Sequence, residues 1–98
     1  MKTFEESLTN DLSDPEFRAD WERAAFARAV ANQIVRYRGE NKLTQTQLAR
    51  RLKMHQSAIA RLELGEHEPS IATLARLSRG LDINFHIDIT PRSLSLSA

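Results

Sequence analysis

Gln56, Ser57 and Arg61 fall within the short stretch "HQSAIARLELG", and each carries groups that match the edge of a nucleobase. An amide pairs bidentately with adenine, a guanidinium with guanine, and a hydroxyl with several edge groups. If the stretch is helical, Ile59 and Leu62 form its inner side and the three polar side chains are left outside. Just upstream, Thr44 and Gln45 open a second helical stretch. There, free backbone N–H groups and the helix dipole suit a phosphate. Arg50, Arg51 and Lys53 would add sequence-independent attraction for a polyanion. The plainer alternatives are ordinary scattered surface charge for the basic residues and, for the helical pair, retention only for protein contacts.

The elements that must hold these residues follow from punctuation and period. Asp14-Pro15-Glu16 supplies an N-cap, a proline at the first helical position and an acid near the positive helix end. From there the chain runs to Gly39 without a breaker, and Phe17-Trp21-Ala25 and Phe26-Val30-Ile34 form two i+4 rows. This predicts one long helix closed by Gly39 as a left-handed cap. Thr44 and Gln47 make a capping box; Leu48, Ala49 and Leu52 are the inner side of the helix they start. After a turn at Lys53-Met54-His55, the next helix ends at Gly65. Ser70 caps a further helix that Gly80 closes. Ile83, Phe85, Ile87 and Ile89 then alternate with polar residues, as in a half-buried strand ended by Pro91.

Composition bounds the rest. Ninety-eight residues make one domain, and the chain has no cysteine, which removes disulfides and thiolate metal sites. With no apolar leader and no membrane-length apolar run, a cytoplasmic location is expected. The net charge of +1 conceals an asymmetry. Residues 1–24 carry seven acids against three bases, or −4; residues 35–61 carry seven bases against Glu40, or +6. A basic middle fits a polyanion and an acidic start fits a basic partner or a solvated arm.

Two short helices joined by a turn of about four residues form a helix-turn-helix, whose second helix enters the major groove. The stretch "LTQTQLARRLKMHQSAIARLELGEHEPSIATLARLSRGL" resembles the lambda-repressor-like, XRE-type helix-turn-helix family in Leu43-Thr44-Gln45, Leu48-Ala49, Gln56-Ser57, Ile59, Arg61, Glu63, Gly65, Pro69-Ser70, Leu74 and Gly80. The resemblance implies a mainly α, lambda-repressor-like bundle of about four to five helices. A long N-terminal helix would precede it and one C-terminal strand would follow. It also implies base contacts by Gln56, Ser57 and Arg61, with His55 and Ala60 beside them, and phosphate contacts by Thr44, Gln45, Arg50, Arg51 and Lys53. Arg38 and Glu63 match a structural ion pair of the family. Three departures stand out: Lys53 replaces a turn glycine, His55 replaces a serine or threonine cap, and the loop Glu66-His67-Glu68 is acidic.

The front end, "LSDPEFRADWERAAFARAVANQIVRYR", together with "LDINFHIDIT", resembles antitoxins of HigA-type toxin–antitoxin modules. That resemblance implies an autoregulating repressor that neutralises a small basic ribonuclease, with Asp14, Glu16, Phe17, Asp20 and Trp21 as a toxin-binding surface. Phe17 and Trp21 have core cover as their other reading. A free-standing phage-like or metabolic repressor and a protein-interaction module without DNA binding are the rival functions.

A lone strand needs a partner. The strand expected at 82–90 would therefore pair through Ile83, Phe85, Ile87 and Ile89 with its copy in a homodimer or with another protein. The expected organisation is an acidic flexible arm at 1–13, a helical domain at 14–81 with the helix-turn-helix at 44–64, the strand, and a flexible tail at 91–98. His55, His67 and His86 lack metal-site spacing, and no nucleophile or phosphate-loop motif appears. No enzyme activity, cofactor or metal is expected.

Overall fold

The computed structural model describes residues 14–98; the arm expected at 1–13 lies outside the described residues. Four helices and a hairpin follow in order. They are α1 (Pro15–Asn41), α2 (Gln45–Leu52), α3 (Gln56–Leu64), α4 (Ile71–Leu81), β1 (His86–Thr90) and β2 (Ser93–Ser97).

Helix α1 begins as its sequence dictates. The Asp14 carboxylate accepts from the Glu16 N–H at 3.0 Å, and Pro15 occupies the first turn. Its buried stripe is Phe26, Ala27, Val30, Ala31 and Ile34. The helix does not stop at Gly39. It runs on to Asn41, and Lys42 takes the left-handed cap at φ 55°. The reason lies in Arg38, whose carbonyl accepts the Leu43 N–H and whose guanidinium donates to the Leu43 carbonyl, each at 2.9–3.0 Å. Those two bonds fix the exit of the chain beyond Gly39.

Helix α2 starts at the capping box: the Gln47 N–H donates to Thr44 Oγ1, and the Gln47 amide oxygen accepts the Thr44 N–H. Ser70 caps α4 by accepting from the Thr73 N–H at 3.1 Å. His55 stands at the N-cap of α3 without a side-chain capping bond, which leaves the first turn of α3 less satisfied than its neighbours. The core is built by all four helices, with Val30, Ile34, Leu48, Ile59 and Leu77 almost completely enclosed.

Gly80 is another glycine whose role differs from expectation. It lies inside α4, and Asp82 is the left-handed cap at φ 55°. A β-carbon at Gly80 would fall 1.7 Å from Leu52 Cδ2, so this glycine lets α4 lie against the end of α2. Gly65, at φ 66°, does close α3 as expected.

The C-terminal segment also departs from the single strand and loose tail. Its last residues form β2, paired antiparallel with β1 in the register His86↔Ser97 through Thr90↔Ser93 around the turn Pro91-Arg92. Strand β1 thus finds its partner in its own chain. "SLSLS" has the same period of two as "HIDIT", and its serines face out while Leu94 and Leu96 pack toward the core. Strand β2 runs along α1, and the Leu94 N–H donates to the Glu22 carboxylate at 2.7 Å.

Candidate nucleic-acid interface

The helix-turn-helix is α2 and α3, packed against each other and joined by a sharp turn. Lys53 occupies the turn position that needs a left-handed residue, at φ 54°, and its N–H closes on the Arg50 carbonyl. A lysine there costs roughly 1 kcal/mol relative to glycine. Ala49 is buried on the inner side of α2 with Leu48 and Leu52.

The side chains singled out in the sequence are distributed as follows. Gln56, Ser57 and Arg61 are exposed on α3, with Ile59 of the same helix fully enclosed. His55 is exposed beside them and Ala60 is half-buried. Thr44 is exposed and Gln45 half-buried at the start of α2, while Arg50, Arg51 and Lys53 are exposed. Among the described residues, none of Arg50, Arg51, Lys53 and Arg61 is tied up in an ion pair.

One contact joins the two helix starts. Gln56 Nε2 donates to Gln45 Oε1 at 2.8 Å, bringing the N-termini of α2 and α3 into register and restricting the Gln56 rotamer. Two glutamines eleven residues apart at two helix starts were the available signal for it. A second feature that sequence reading missed is a pair of further cations. Arg76 and Arg79 of α4 join Arg51 and Lys53 around one shallow depression floored by Leu52 and Gly80. Arg76 Nη1 also donates to the Lys53 carbonyl at 3.4 Å.

The position of α3 on the body is fixed by Arg38 and Glu63. Arg38 Nη2 and Nε meet the Glu63 carboxylate at 2.6 and 3.0 Å, and Arg38 Nη1 holds the Leu43 carbonyl. The Glu63 side chain is 8% exposed and Arg38 is 24% exposed. Hydrogen bonding to Glu63 raises the Arg38 pKa above its ordinary value, against a smaller opposing effect of burial.

At the far end of α1, Phe17 and Trp21 stack with ring centroids 6.5 Å apart, and the Arg28 guanidinium lies over the indole at 5.8 Å. Trp21 is 39% exposed and Phe17 is half-buried. Asp20 pairs with Arg23, Asp14 caps the helix, and Glu16 is exposed. Trp21, Phe26, Leu94 and Leu96 line a groove between α1 and β2. Among the described residues no group of three His, Cys, Asp or Glu side chains is placed to hold a metal. No described helix is long and apolar enough to cross a membrane.

The curated relatives include Antitoxin HigA1 of Mycobacterium tuberculosis (strain CDC 1551 / Oshkosh), 28% identical over 75 residues, or 76% of this chain and 50% of that one. The protein of the same name from strain ATCC 25618 / H37Rv matches to the same extent. This chain therefore spans about half the length of the curated relatives it matches. The crystal structure of an HTH_3 family transcriptional regulator from Vibrio cholerae superimposes with a TM-score of 0.57 at 27% identity, covering 63% of this chain and 35% of that one. The HTH_3 helix-turn-helix model matches residues 34–87, more than half of the chain and the whole α2–α3 unit, so this chain belongs to that family.

Proposed function

We propose that the chain is a sequence-specific DNA-binding repressor and the antitoxin of a type II toxin–antitoxin module. In this reading it represses its own operon and neutralises a basic ribonuclease. The observation that carries the DNA-binding part is the outer face of α3, where Gln56, Ser57 and Arg61 stand clear of the core and Gln56 is held by Gln45. Helix α3 enters the major groove, with Gln56 directed to adenine and Arg61 to guanine. Ser57 reads a third edge group, and His55 and Ala60 lie alongside. Thr44 and Gln45 at the start of α2, and the cations Arg50, Arg51 and Lys53, meet phosphates. A homodimer supplies two such helices to a two-fold operator.

The antitoxin part is supported by the similarity to Antitoxin HigA1 and by the aromatic stack of Phe17 and Trp21 outside the core. With Asp14, Glu16 and Asp20 on the same stretch, aromatics supply an anchor and acids steer a basic partner.

Two experiments test the two halves. The first is fluorescence anisotropy with DNA from upstream of the gene and with scrambled DNA. Tight, sequence-selective binding is expected, and equal binding to both would leave the helix-turn-helix a general polyanion or protein contact. The second is a pull-down from the source cell with wild-type chain and with Phe17→Ala/Trp21→Ala. A small basic protein held by the wild type and lost by the variant is expected. Operator binding without any such protein would leave an ordinary repressor.

A further inference from the structure

The outer edge of β1 carries unpaired backbone groups. A two-residue turn at Pro91-Arg92 makes Thr90 and Ser93 a hydrogen-bonded pair, so bonding alternates along the ladder. The pairs Ile89↔Leu94 and Ile87↔Leu96 consequently point their N–H and C=O groups away from each other. On the β2 side the outward Leu94 N–H is taken by Glu22. On the β1 side the N–H and C=O of Ile87 and Ile89 have no backbone partner among the described residues. Strand β2 is the one that packs along α1, which leaves β1 outermost. Ile89 on this strand is 76% exposed, the most exposed large apolar side chain of the described residues. An open edge carrying such a residue is a template for another strand.

We propose that this edge is the homodimer seam: β1 pairs antiparallel with β1 of a second copy, centred on Ile87, to give one four-stranded sheet. The seam presupposes the homodimer proposed above and locates where its halves join. The register follows from elimination. Within β1 only Ile87 and Ile89 offer outward groups, and Phe85, one residue ahead of the strand, also has no backbone partner, so these are the residues that meet across the seam. Centring on Asp88 would set two carboxylates directly opposite, a repulsive pair. Centring on Ile89 would set Ile87 against Pro91, which has no N–H to give. Centring one step earlier would set His86 against His86 and leave Asp88 facing Asn84. Centring on Ile87 instead places His86 opposite Asp88 twice, a donor against a carboxylate on the solvent face. It also covers Ile89 with Phe85 of the copy. The two-fold axis is perpendicular to the sheet, so both α1 helices lie on the same side.

The cysteine-free sequence allows a direct test. Full-length His86→Cys and Asp88→Cys chains are mixed, refolded together and oxidised, and run on a non-reducing gel beside each variant alone. A disulfide-linked dimer of twice 11.2 kDa from the mixture, with little from either alone, is expected. Non-hydrogen-bonded antiparallel neighbours, about 4.5 Å apart at Cα, suit a disulfide. A linked dimer from Asp88→Cys alone would overturn the register. Ile89→Lys, at a position too exposed to disturb the fold, is expected to weaken the dimer about tenfold or more in sedimentation while the far-UV circular-dichroism spectrum stays native. A wild-type dimer that neither cross-links in the mixture nor responds to Ile89→Lys would overturn the seam and leave the homodimer standing. A wild type that is monomeric at every concentration would overturn both.

Discussion

At the residue scale the Arg38–Glu63 pair ties α3 to α1 and, through the Leu43 carbonyl, to the start of α2. Glu63→Gln keeps the shape and removes the charge, leaving a guanidinium with only part of its shell. Because Arg38 retains some contact with water, the loss should be about 2–3 kcal/mol, below the 3–5 of a fully buried pair; urea denaturation measures it. The pH dependence has a definite sign. Hydrogen bonding to Glu63 raises Arg38 in the folded state, so its contribution is complete below the ordinary arginine range and lost only as pH rises through the still higher folded value. The gap between wild type and Glu63→Gln should therefore be the same at about pH 7 and about pH 9. Arg61 touches no folding contact of this kind. Arg61→Ala should leave the melting curve alone, cost about 1–3 kcal/mol on the cognate site and little on random DNA. Equal losses on both DNAs would assign Arg61 to a phosphate.

At the element scale, left-handed caps and glycines have exchanged places. Lys42, Lys53 and Asp82 close three helices at φ near 55°, whereas Gly39 and Gly80 lie within helices. Lys42→Gly should therefore raise stability by roughly 0.5–1 kcal/mol, read as a later urea midpoint at unchanged slope. Gly80→Ala, which improves helix propensity, should nevertheless lose about 1–3 kcal/mol, because its new β-carbon collides with the enclosed Leu52. The same exchange shows where the sequence was legible. The Thr44 capping box, the Ser70 cap and the i+4 row of Phe26, Val30 and Ile34 are local signals, and each appears where it was read. The helix ends at Gly39 and Gly80 were misplaced because bonds from Arg38 and contact with Leu52 are tertiary facts that no local window contains. The hairpin is a different kind of miss. Its alternation was present in "SLSLS", but serine's turn-like composition hid a period of two. The outward face of α3 was legible, since its polar residues interrupt an otherwise apolar helix; the Gln45–Gln56 bond needed the two helix starts side by side.

At the scale of the whole molecule, the proposed phosphate contacts set a measurable number. Three cations per half-site, Arg50, Arg51 and Lys53, make six in a dimer on its operator. The slope of log K against log salt should then be near −5, and a slope of about half that would mean a single half-site is engaged. The bond from Glu22 to the Leu94 N–H has a consequence of another kind. It spans 72 residues and sits where β2 meets α1, whereas α2 and α3, neighbours in sequence, complete their mutual contacts locally. Closing so long a loop is slow compared with pairing adjacent helices. The hairpin should thus be the last unit to dock during folding. In the monomeric chain its amides would exchange with deuterium well before those of Ile34 or Leu77, while the helix-turn-helix is still intact.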